Sequence, residues 1–347
     1  MQYAPLGRTG IEVSRLCLGS MTWGSHNSYA EGAAQIEQAL DAGVNFIDTA
    51  EMYPTTPLKY ETHGDTERVI GRWMRESGRR SDVVIATKVL GNGKVFKERG
   101  GDITAAKFRA SLEGSLERLG TDCIDLYQLH WPNRGSYHFR QHWQFDPTGQ
   151  DTADVDTHIL DVLQAAGEAV AQGKIRALGL SNESAWGTLR FTALAEAHGL
   201  PRVASIQNEY NLLVRHFDMD LSEVAHHEDV GLLAFSPLAA GMLSGKYDKG
   251  DVPEGSRRAQ NDALSGRWSD YSREANARYN ALARDHGMEP AVMALAFCLS
   301  RPFMTSAIIG ATTPEQLGVN LSAADLTLDA EVLDAIAAIR RDHPMPM

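Results

Sequence analysis

Four residues of the types used in acid–base chemistry lie at or just after the ends of three consecutive apolar runs. Asp48 ends the run NFID, Lys88 ends VVIATK, His130 ends IDLYQLH, and Tyr53 lies five residues beyond Asp48. A buried carboxylate and a buried ammonium each avoid a large desolvation penalty by pairing, so we expect Asp48 and Lys88 to form an ion pair. A cation beside Tyr53 favours the phenolate and predicts a phenol pKa below its usual value of about 10. Together the four residues predict a site that gives a proton to a substrate.

The pattern of the chain predicts the elements that position these residues. Short β-rich runs alternate with amphipathic helical stretches, as is typical of parallel βα units. The predicted strands are 15–20, 45–50, 82–89, 124–130, 177–181, 204–210, 231–238 and 305–311. The predicted helices are 31–43, 64–78, 104–120, 157–173, 184–199, 221–229, 272–287 and 290–301. This order predicts an α/β fold, a closed (β/α)8 TIM barrel formed by one domain over 1–347.

Three further segments bear on the barrel. The stretch YAPLGRTGIEVS, residues 3–14, predicts an N-terminal hairpin that caps the bottom of the barrel. Long loops follow the fourth strand (131–156) and the seventh strand (239–271), and loops after strands build the active sites of such barrels. Because side chains alternate along a strand, Asp48, Lys88 and His130 should all point inward at the C-terminal ends of their strands.

Composition narrows the function classes. The 347 residues carry a net charge of −12, which disfavours nucleic acid and anionic membrane surfaces as partners. No apolar run approaches the roughly 20 residues of a membrane helix, and the first residues show no secretory-signal pattern, so we expect a cytoplasmic protein. The three cysteines are far apart and lack C-x-x-C spacing, which predicts reduced thiols and no metal site. A monomer is the default expectation, and an oligomer stays possible.

Six motifs, in order and spacing, resemble the aldo-keto reductases: DTAEMY, ATK, LHWP, GLSN, IQNEYN and FSPLAAGMLSGKY. The resemblance runs from about residue 3 to residue 340 and includes the Tas-type bacterial members and the potassium-channel β subunits. It implies a catalytic tetrad of Asp48, Tyr53, Lys88 and His130. In that tetrad Tyr53 protonates a carbonyl oxygen that His130 orients, and Lys88, held by Asp48, tunes Tyr53.

The chain has no G-x-G-x-x-G fingerprint, so a Rossmann site is not expected. The resemblance instead implies a nicotinamide dinucleotide bound on the top of the barrel. Implied nicotinamide contacts are Gly19, Ser20, Met21, Asp48, Ser181, Asn182, Gln207 and, stacked on the ring, Phe235. Implied pyrophosphate contacts are Ser236, Pro237, Leu238, Ala239 and Gly241.

The adenosine end of the cofactor is assigned by the same resemblance. The stretch IIGATTPEQLGVN supplies Gly310, Thr312, Gln316 and Asn320, although Gly310 and Gln316 replace the Lys and Arg of some branches. Lys246 and Arg257, or its neighbour Arg258, match the phosphate contacts of the channel-subunit branch. NADPH or NADP+ is therefore expected, with NADH the less favoured cofactor. The residues expected to line the substrate pocket are Trp23, Tyr53, His130 and Trp131.

These features predict an NADPH-dependent reductase of aldehydes or ketones, with a small-molecule carbonyl compound as its partner. An alternative is an NADP(H)-binding redox sensor that turns over slowly and regulates another protein. A third hypothesis is a lyase or aldolase in which Lys88 forms a Schiff base, but an adjacent Asp48 would keep this lysine protonated. Taken singly, each tetrad residue is also compatible with a structural role; a shared position at one end of a barrel favours catalysis.

Overall fold

The computed structural model describes residues 1–91 and 101–347 of the chain. Two short strands, β1 (Tyr3–Pro5) and β2 (Glu12–Ser14), pair antiparallel as the predicted hairpin. Eight parallel strands form a closed barrel. They are β3 (Leu16–Gly19), β4 (Phe46–Asp48), β5 (Val84–Val89), β6 (Ile124–Leu129), β7 (Ile175–Ser181), β8 (Val203–Glu209), β9 (Gly231–Phe235) and β10 (Met304–Ile309). Strand β10 pairs with β3 and closes the ring, which confirms the predicted TIM barrel.

Helices surround the barrel. The helices that precede β8 in the chain are α1 (Tyr29–Asp41), α2 (Asp65–Ser77), α3 (Ala105–Leu119), α4 (Thr152–Ala171) and α5 (Ala185–His198). The others are α6 (Asp220–Glu228), α7 (Arg257–Gln260), α8 (Asp270–Asp285), α9 (Pro290–Leu299), α10 (Pro314–Leu321) and α11 (Ala330–Asp342). Short 3-10 helices cover residues 80–82, 216–218, 239–244 and 322–325. The sequence pattern did not predict α7, α10 and α11.

Capping side chains explain where two of these helices begin. Helix α4 begins five residues before its predicted start because the Asp151 carboxylate accepts hydrogen bonds from the backbone N–H groups of Ala153 and Asp154. Helix α11 begins after Asp329, whose side chain accepts from the backbone of Val332. Both caps lie in the sequence, so the helix starts were predictable from local chemistry.

The hairpin closes the N-terminal end of the barrel. Its side chains Leu6, Ile11 and Val13 pack with the inward-facing Phe46 and Leu126 in one buried cluster. Gly7 is required at the turn, because it has φ +55° and a Cβ there would lie 2.5 Å from the carbonyl oxygen of Ala204. The hairpin therefore seals the bottom of the barrel and leaves the C-terminal strand ends for the site.

Two long connections lie at the C-terminal end of the barrel, as predicted. Residues 130–151 join β6 to α4, and residues 236–269 join β9 to α8 through the 3-10 helix and α7. None of the helices in residues 1–91 and 101–347 combines the length and the apolar character that a membrane span requires. The three cysteines are free, and no cluster of His, Cys, Asp or Glu in the described part of the chain is placed to hold a metal ion.

Candidate active site

A buried ion pair occupies the centre of the C-terminal end of the barrel. The Lys88 side chain is 0% exposed, and its Nζ lies 2.9 and 2.7 Å from the two carboxylate oxygens of Asp48. Lys88 also donates to the carbonyl oxygen of Thr49 at 2.6 Å. Burial disfavours the ammonium, but Asp48 and Tyr53 outweigh it and raise the pKa of Lys88 above its ordinary value. Lys88 is therefore held as a cation, which opposes Schiff-base chemistry.

Tyr53 lies against this cation, with Lys88 Nζ 5.0 Å from the centre of its ring. Burial raises the pKa of the Tyr53 hydroxyl above its ordinary value, and the opposing effect of Lys88 does not overcome it. Our prediction of a lowered phenol pKa was therefore wrong in direction: the loss of hydration costs the phenolate more than the nearby ammonium returns. At neutral pH Tyr53 is a phenol that has a proton to donate.

His130 completes the group of residues predicted from the sequence. Its ring centre lies 6.1 Å from that of Tyr53, in an edge-to-face arrangement. Burial, and then the nearby Lys88, lower the pKa of His130 well below its ordinary value. Nδ1 of the ring is buried without a hydrogen-bond partner. His130 is thus a neutral imidazole at pH 7, and it has a free polar atom within the site.

Amide side chains continue the network away from Lys88. Gln207 donates from Nε2 to Asp48 at 2.8 Å. Ser181 donates to the backbone oxygen of Gln207 at 2.8 Å, and Asn182 donates to the backbone oxygen of His130 at 2.9 Å. The Oδ1 atom of Asn182 is buried and has no partner. An unsatisfied buried acceptor is costly, so this atom indicates where a donor of a bound molecule belongs.

Aromatic residues form the outer part of the site. The ring of Phe235, at the end of β9, is nearly parallel to that of Phe139 from the 130–151 loop, with centres 6.4 Å apart. Trp131 lies next to His130 and meets Phe139 edge to face. Trp23 differs from the prediction: it is 0% exposed, and its Nε1 donates to Gln35 in the core beneath α1. Trp131, Phe139 and Phe235 therefore form a chain of aromatic contacts that extends from His130, the neighbour of Tyr53.

The segment that follows β9 has an unusual backbone. Ser236, Ala239, Ala240 and Gly241 have positive φ, with +95° at Gly241. A Cβ at Gly241 would lie 2.9 Å from Lys246 Nζ, so the glycine lets the lysine side chain cross this turn. The other residues predicted on this segment, Pro237 and Leu238, form the start of the same turn. The turn and its lysine lie next to Phe235.

Arg257 is a second cation at the same end of the barrel. Its Nη1 lies 3.8 Å from the sulfur of Met21, and no carboxylate of the described residues pairs with it. Burial and the neighbouring Arg267 lower its pKa, while Tyr53 acts in the opposite direction. Arg258, its neighbour, is instead directed to Trp268 and Asp262. Arg257 therefore has no ion pair with a described residue, although the charge of Glu209 acts on it from a greater distance.

The residues predicted for the adenosine end lie beyond β10. Thr312 donates through its N–H and its hydroxyl to Gln316 Oε1, at 3.1 Å each. Asn320 donates to the backbone oxygen of Gly310 at 3.2 Å. On the neighbouring strand, Ser20 donates to the backbone oxygen of Asp48, and Gly19 pairs with Asp48 in register. Gly310 and Thr312 thus follow the end of β10, Gln316 and Asn320 lie in α10, and Gly19 and Ser20 lie at the end of β3, the strand next to β10.

One buried carboxylate was missed by the sequence interpretation. Glu209, the last residue of β8, pairs with Arg267 at 2.7 Å and with Arg140 at 3.3 Å. Arg140 belongs to the 130–151 loop and Arg267 to the 236–269 loop, so Glu209 joins both loops to the barrel wall. Burial disfavours its ionisation, yet the two guanidinium groups lower the pKa of Glu209 below its ordinary value.

A model of the aldo/keto reductase family matches residues 15–341. The chain is 42% identical to the protein tas of Escherichia coli, with 100% of this chain and 99% of that protein covered. It is 34% identical to the uncharacterized oxidoreductase YrpG of Bacillus subtilis, with 96% and 94% covered. It is 33% identical to a probable voltage-gated potassium channel subunit beta of Oryza sativa, with 99% and 98% covered.

The chain belongs to the aldo/keto reductase family. This membership confirms the predicted resemblance and supports an oxidoreductase. Four residues near the candidate active site of this aldo/keto reductase were not predicted from the sequence: Phe139, Arg140, Glu209 and Arg267. Glu209 was visible as a charged residue at the end of an apolar strand in IQNEYN, the same signal that identified Asp48.

Proposed function

We propose that this aldo/keto reductase uses NADPH to reduce aldehydes or ketones to alcohols. The observation that carries the proposal is the grouping of Tyr53, Lys88 and His130 around one space at the C-terminal end of the barrel. The positive charge of Lys88 is balanced there by the carboxylate of Asp48. Tyr53 is protonated at neutral pH, and His130 is neutral, so the site offers a proton donor beside an uncharged hydrogen-bonding ring. A carbonyl oxygen would accept from Tyr53.

The described residues fit a nicotinamide cofactor. The orphaned Asn182 Oδ1 would accept from the carboxamide N–H group, and Ser181 and Gln207 border the same space. Phe235 would lie against the ring. When bound, the reduced nicotinamide supplies the hydride. The protein's own part is to hold the substrate oxygen at the Tyr53 hydroxyl, which protonates it as negative charge develops.

Loss of that proton leaves a phenolate, and the arrangement around Tyr53 stabilises it. Lys88 lies 5.0 Å from the ring and is held in place by both oxygens of Asp48. Charge stabilisation of this kind is strongest in a site that excludes water, because the surroundings do not have to reorganise during the reaction. The raised pKa of Tyr53 therefore keeps the proton on the phenol before the reaction, and the Lys88 cation stabilises the phenolate after the proton has been transferred.

The choice of NADPH over NADH rests on two cations. Lys246 crosses the turn at Gly241, and Arg257 has no ion-paired counter-charge among the described residues; both are proposed to reach the 2′-phosphate that NADH lacks. A phosphate group would supply that counter-charge, and guanidinium matches phosphate geometry well. Gly310 is open, with nothing within 4 Å of a Cβ built on it, and it leaves room at the adenosine end.

The experiment is to follow NADPH absorbance over a panel of aldehydes and ketones with the native protein and with Tyr53→Phe. We expect native turnover that depends on the carbonyl compound and a loss of about 10²–10⁴-fold in Tyr53→Phe, with NADPH affinity kept. Tyr271→Phe, which removes an exposed phenol from α8, is the matched control. Turnover by Tyr53→Phe at the native rate would refute Tyr53 as the acid.

A second candidate is an NADP(H)-binding redox sensor with slow turnover. It is favoured by the 33% identity to a protein named as a probable potassium channel subunit beta. Tight NADPH binding with cofactor release slower than single-turnover chemistry supports this role, whereas rapid steady-state turnover supports the reductase. With either function we propose a cytoplasmic protein whose residues 1–347 form one domain, with a monomer as the starting assumption.

A further inference from the structure

A cavity lies away from the candidate active site, on the flank of the barrel between α9 and α11. It has a volume of about 510 Å³, within the range of small-molecule sites. Its apolar wall is formed by Phe297, Leu333, Ile336, Ala337 and Pro344. Its polar lining consists of Arg215, Arg301, Arg340 and Arg341.

The charge of this cavity is unusual for a protein with a net charge of −12. Four guanidinium groups line it, and no Asp or Glu among the described residues does. The Asp218 carboxylate pairs with Arg215 at 2.5 Å and with Arg340 at 2.7 Å. Arg301 and Arg341 have no ion pair with any described residue. The cavity therefore has an excess of positive charge that the described residues leave unbalanced.

Several donors at this cavity lack the partners that buried donors normally have. Arg215 is 8% exposed, and its Nη1 is buried without a hydrogen bond, as is Nε of Arg301. The hydroxyl of Tyr279 is also buried without a partner, and the charges of Arg215 and Arg340 are close enough to act on it. Unsatisfied buried donors are costly, and guanidinium donors most of all, so the site is built to give hydrogen bonds to something.

Three of the four arginines are also held in position. Phe297 lies between two of them, with its ring centre 4.4 Å from the guanidinium carbon of Arg215 and 5.0 Å from that of Arg301. Such cation–π contacts, together with the ion pairs to Asp218, position the guanidinium groups of Arg215, Arg301 and Arg340 before a ligand arrives, whereas Arg341 is exposed. Less conformational entropy is then lost on binding, which is the usual sign of a binding site rather than of a solvated surface.

We propose that this cavity binds a small organic molecule that has a phosphate group beside an apolar body. Guanidinium groups recognise phosphate through paired hydrogen bonds, and a phosphate dianion balances the charge of Arg301 and Arg341 better than a carboxylate does. The apolar wall around Ile336 and Leu333 would hold the rest of the molecule. The site shares none of its lining residues with the proposed catalytic centre, so the inference does not depend on the proposed function.

The test uses 1-naphthyl phosphate as the probe, titrated calorimetrically into the full chain with NADPH present in excess. We expect one saturable site, weakened as ionic strength rises because the interaction is between charges. Arg301→Gln and Arg341→Gln should each weaken binding about tenfold or more, since each removes a charge-assisted contact. Arg75→Gln, which removes an exposed arginine of α2, is the matched control and should bind as the native protein does.

Two comparison ligands decide the class of ligand. 1-Naphthol has the apolar body without the charge, and 1-naphthoate has a carboxylate in place of the phosphate. The proposal requires that both bind more weakly than 1-naphthyl phosphate. The proposal is overturned if the native protein shows no binding of 1-naphthyl phosphate at millimolar concentration. It is also overturned if the double variant Arg301→Gln/Arg341→Gln binds this probe as the native protein does, or if 1-naphthoate binds more tightly than 1-naphthyl phosphate. Circular dichroism of each variant separates loss of binding from loss of fold.

Discussion

Replacement of Glu209 by Gln tests how the two long loops are held over the site. Glu209 is the last residue of β8, and its side chain is 6% exposed. Its carboxylate neutralises Arg267 at 2.7 Å, itself 6% exposed, and Arg140 at 3.3 Å. Gln has nearly the same shape but no charge. The substitution therefore removes the shared counter-charge of two loops and changes little else.

The expected cost follows from this burial. Removal of one partner from a buried ion pair typically costs about 3–5 kcal/mol, because the remaining charge stays desolvated. Two guanidinium groups lose their partner here, and Arg257, a third cation on which the charge of Glu209 acts favourably, loses that interaction. The full cost appears in the free energy of unfolding if both arginines stay buried. If the loops open to hydrate them, the cost is limited to the free energy of that opening, and the loops become exposed.

Urea denaturation combined with limited proteolysis distinguishes these two responses. We expect Glu209→Gln to lose several kcal/mol in the free energy of unfolding, or to be cleaved faster within 130–151 and 236–269. The matched control is Glu168→Gln, which breaks an exposed pair with Arg109 and should cost about 0–1 kcal/mol. Equal stability and equal proteolysis of the two variants would refute the role of Glu209 as the anchor of both loops.

The pH dependence of this difference has a defined sign. The pKa of Glu209 is lowered in the folded protein, so its ion pairs stabilise the fold above the unfolded pKa of about 4.3. That stabilisation is lost as the pH falls through the lower pKa of the folded state. The stability gap between the native protein and Glu209→Gln should accordingly be constant near neutral pH and narrow below about pH 4.

Three other predictions concern the reaction, the cofactor and the fold. Carbonyl reduction should keep its rate from neutral pH to about pH 10, because the raised pKa of Tyr53 keeps the phenol protonated there; a fall in kcat/KM centred near pH 7 would contradict this. Arg257→Gln should weaken NADPH binding about tenfold or more and leave NADH binding nearly unchanged, as measured by fluorescence titration; equal losses for both would contradict a phosphate contact. Gly7→Ala should lower the free energy of unfolding by about 2–5 kcal/mol, because it adds a clash with Ala204 to the strain of positive φ. Gly10→Ala, which has open space around it, should cost about 1–2 kcal/mol. Similar denaturation midpoints for the two variants would contradict the close approach of Gly7 to Ala204.

Most of the barrel was predictable because its signals are local. Alternation of side chains along a strand, helix caps and the order of strands and helices are properties of neighbouring residues. The Asp48–Lys88 pair was predictable for a related reason: both residues end apolar runs, and parallel strands of a barrel bring such ends together. Helix α11 was missed although Asp329 gave a visible cap, so this miss was one of interpretation.

What the tertiary structure alone decided depends on distance in the chain and on burial. Glu209 is 69 residues from Arg140 and 58 from Arg267, and no local pattern reports such a pairing. The pKa of Tyr53 is set by the balance between burial and the charge of Lys88, and only the folded structure gives the depth of burial. Trp23 has the same place in the sequence whether its ring faces a cleft or packs beneath a helix. The sequence by itself determined the barrel and the meeting of Asp48 with Lys88 at one end of it. Three-dimensional packing determined the protonation of these groups, the pairing of Glu209 with both loops and the arginine-lined cavity.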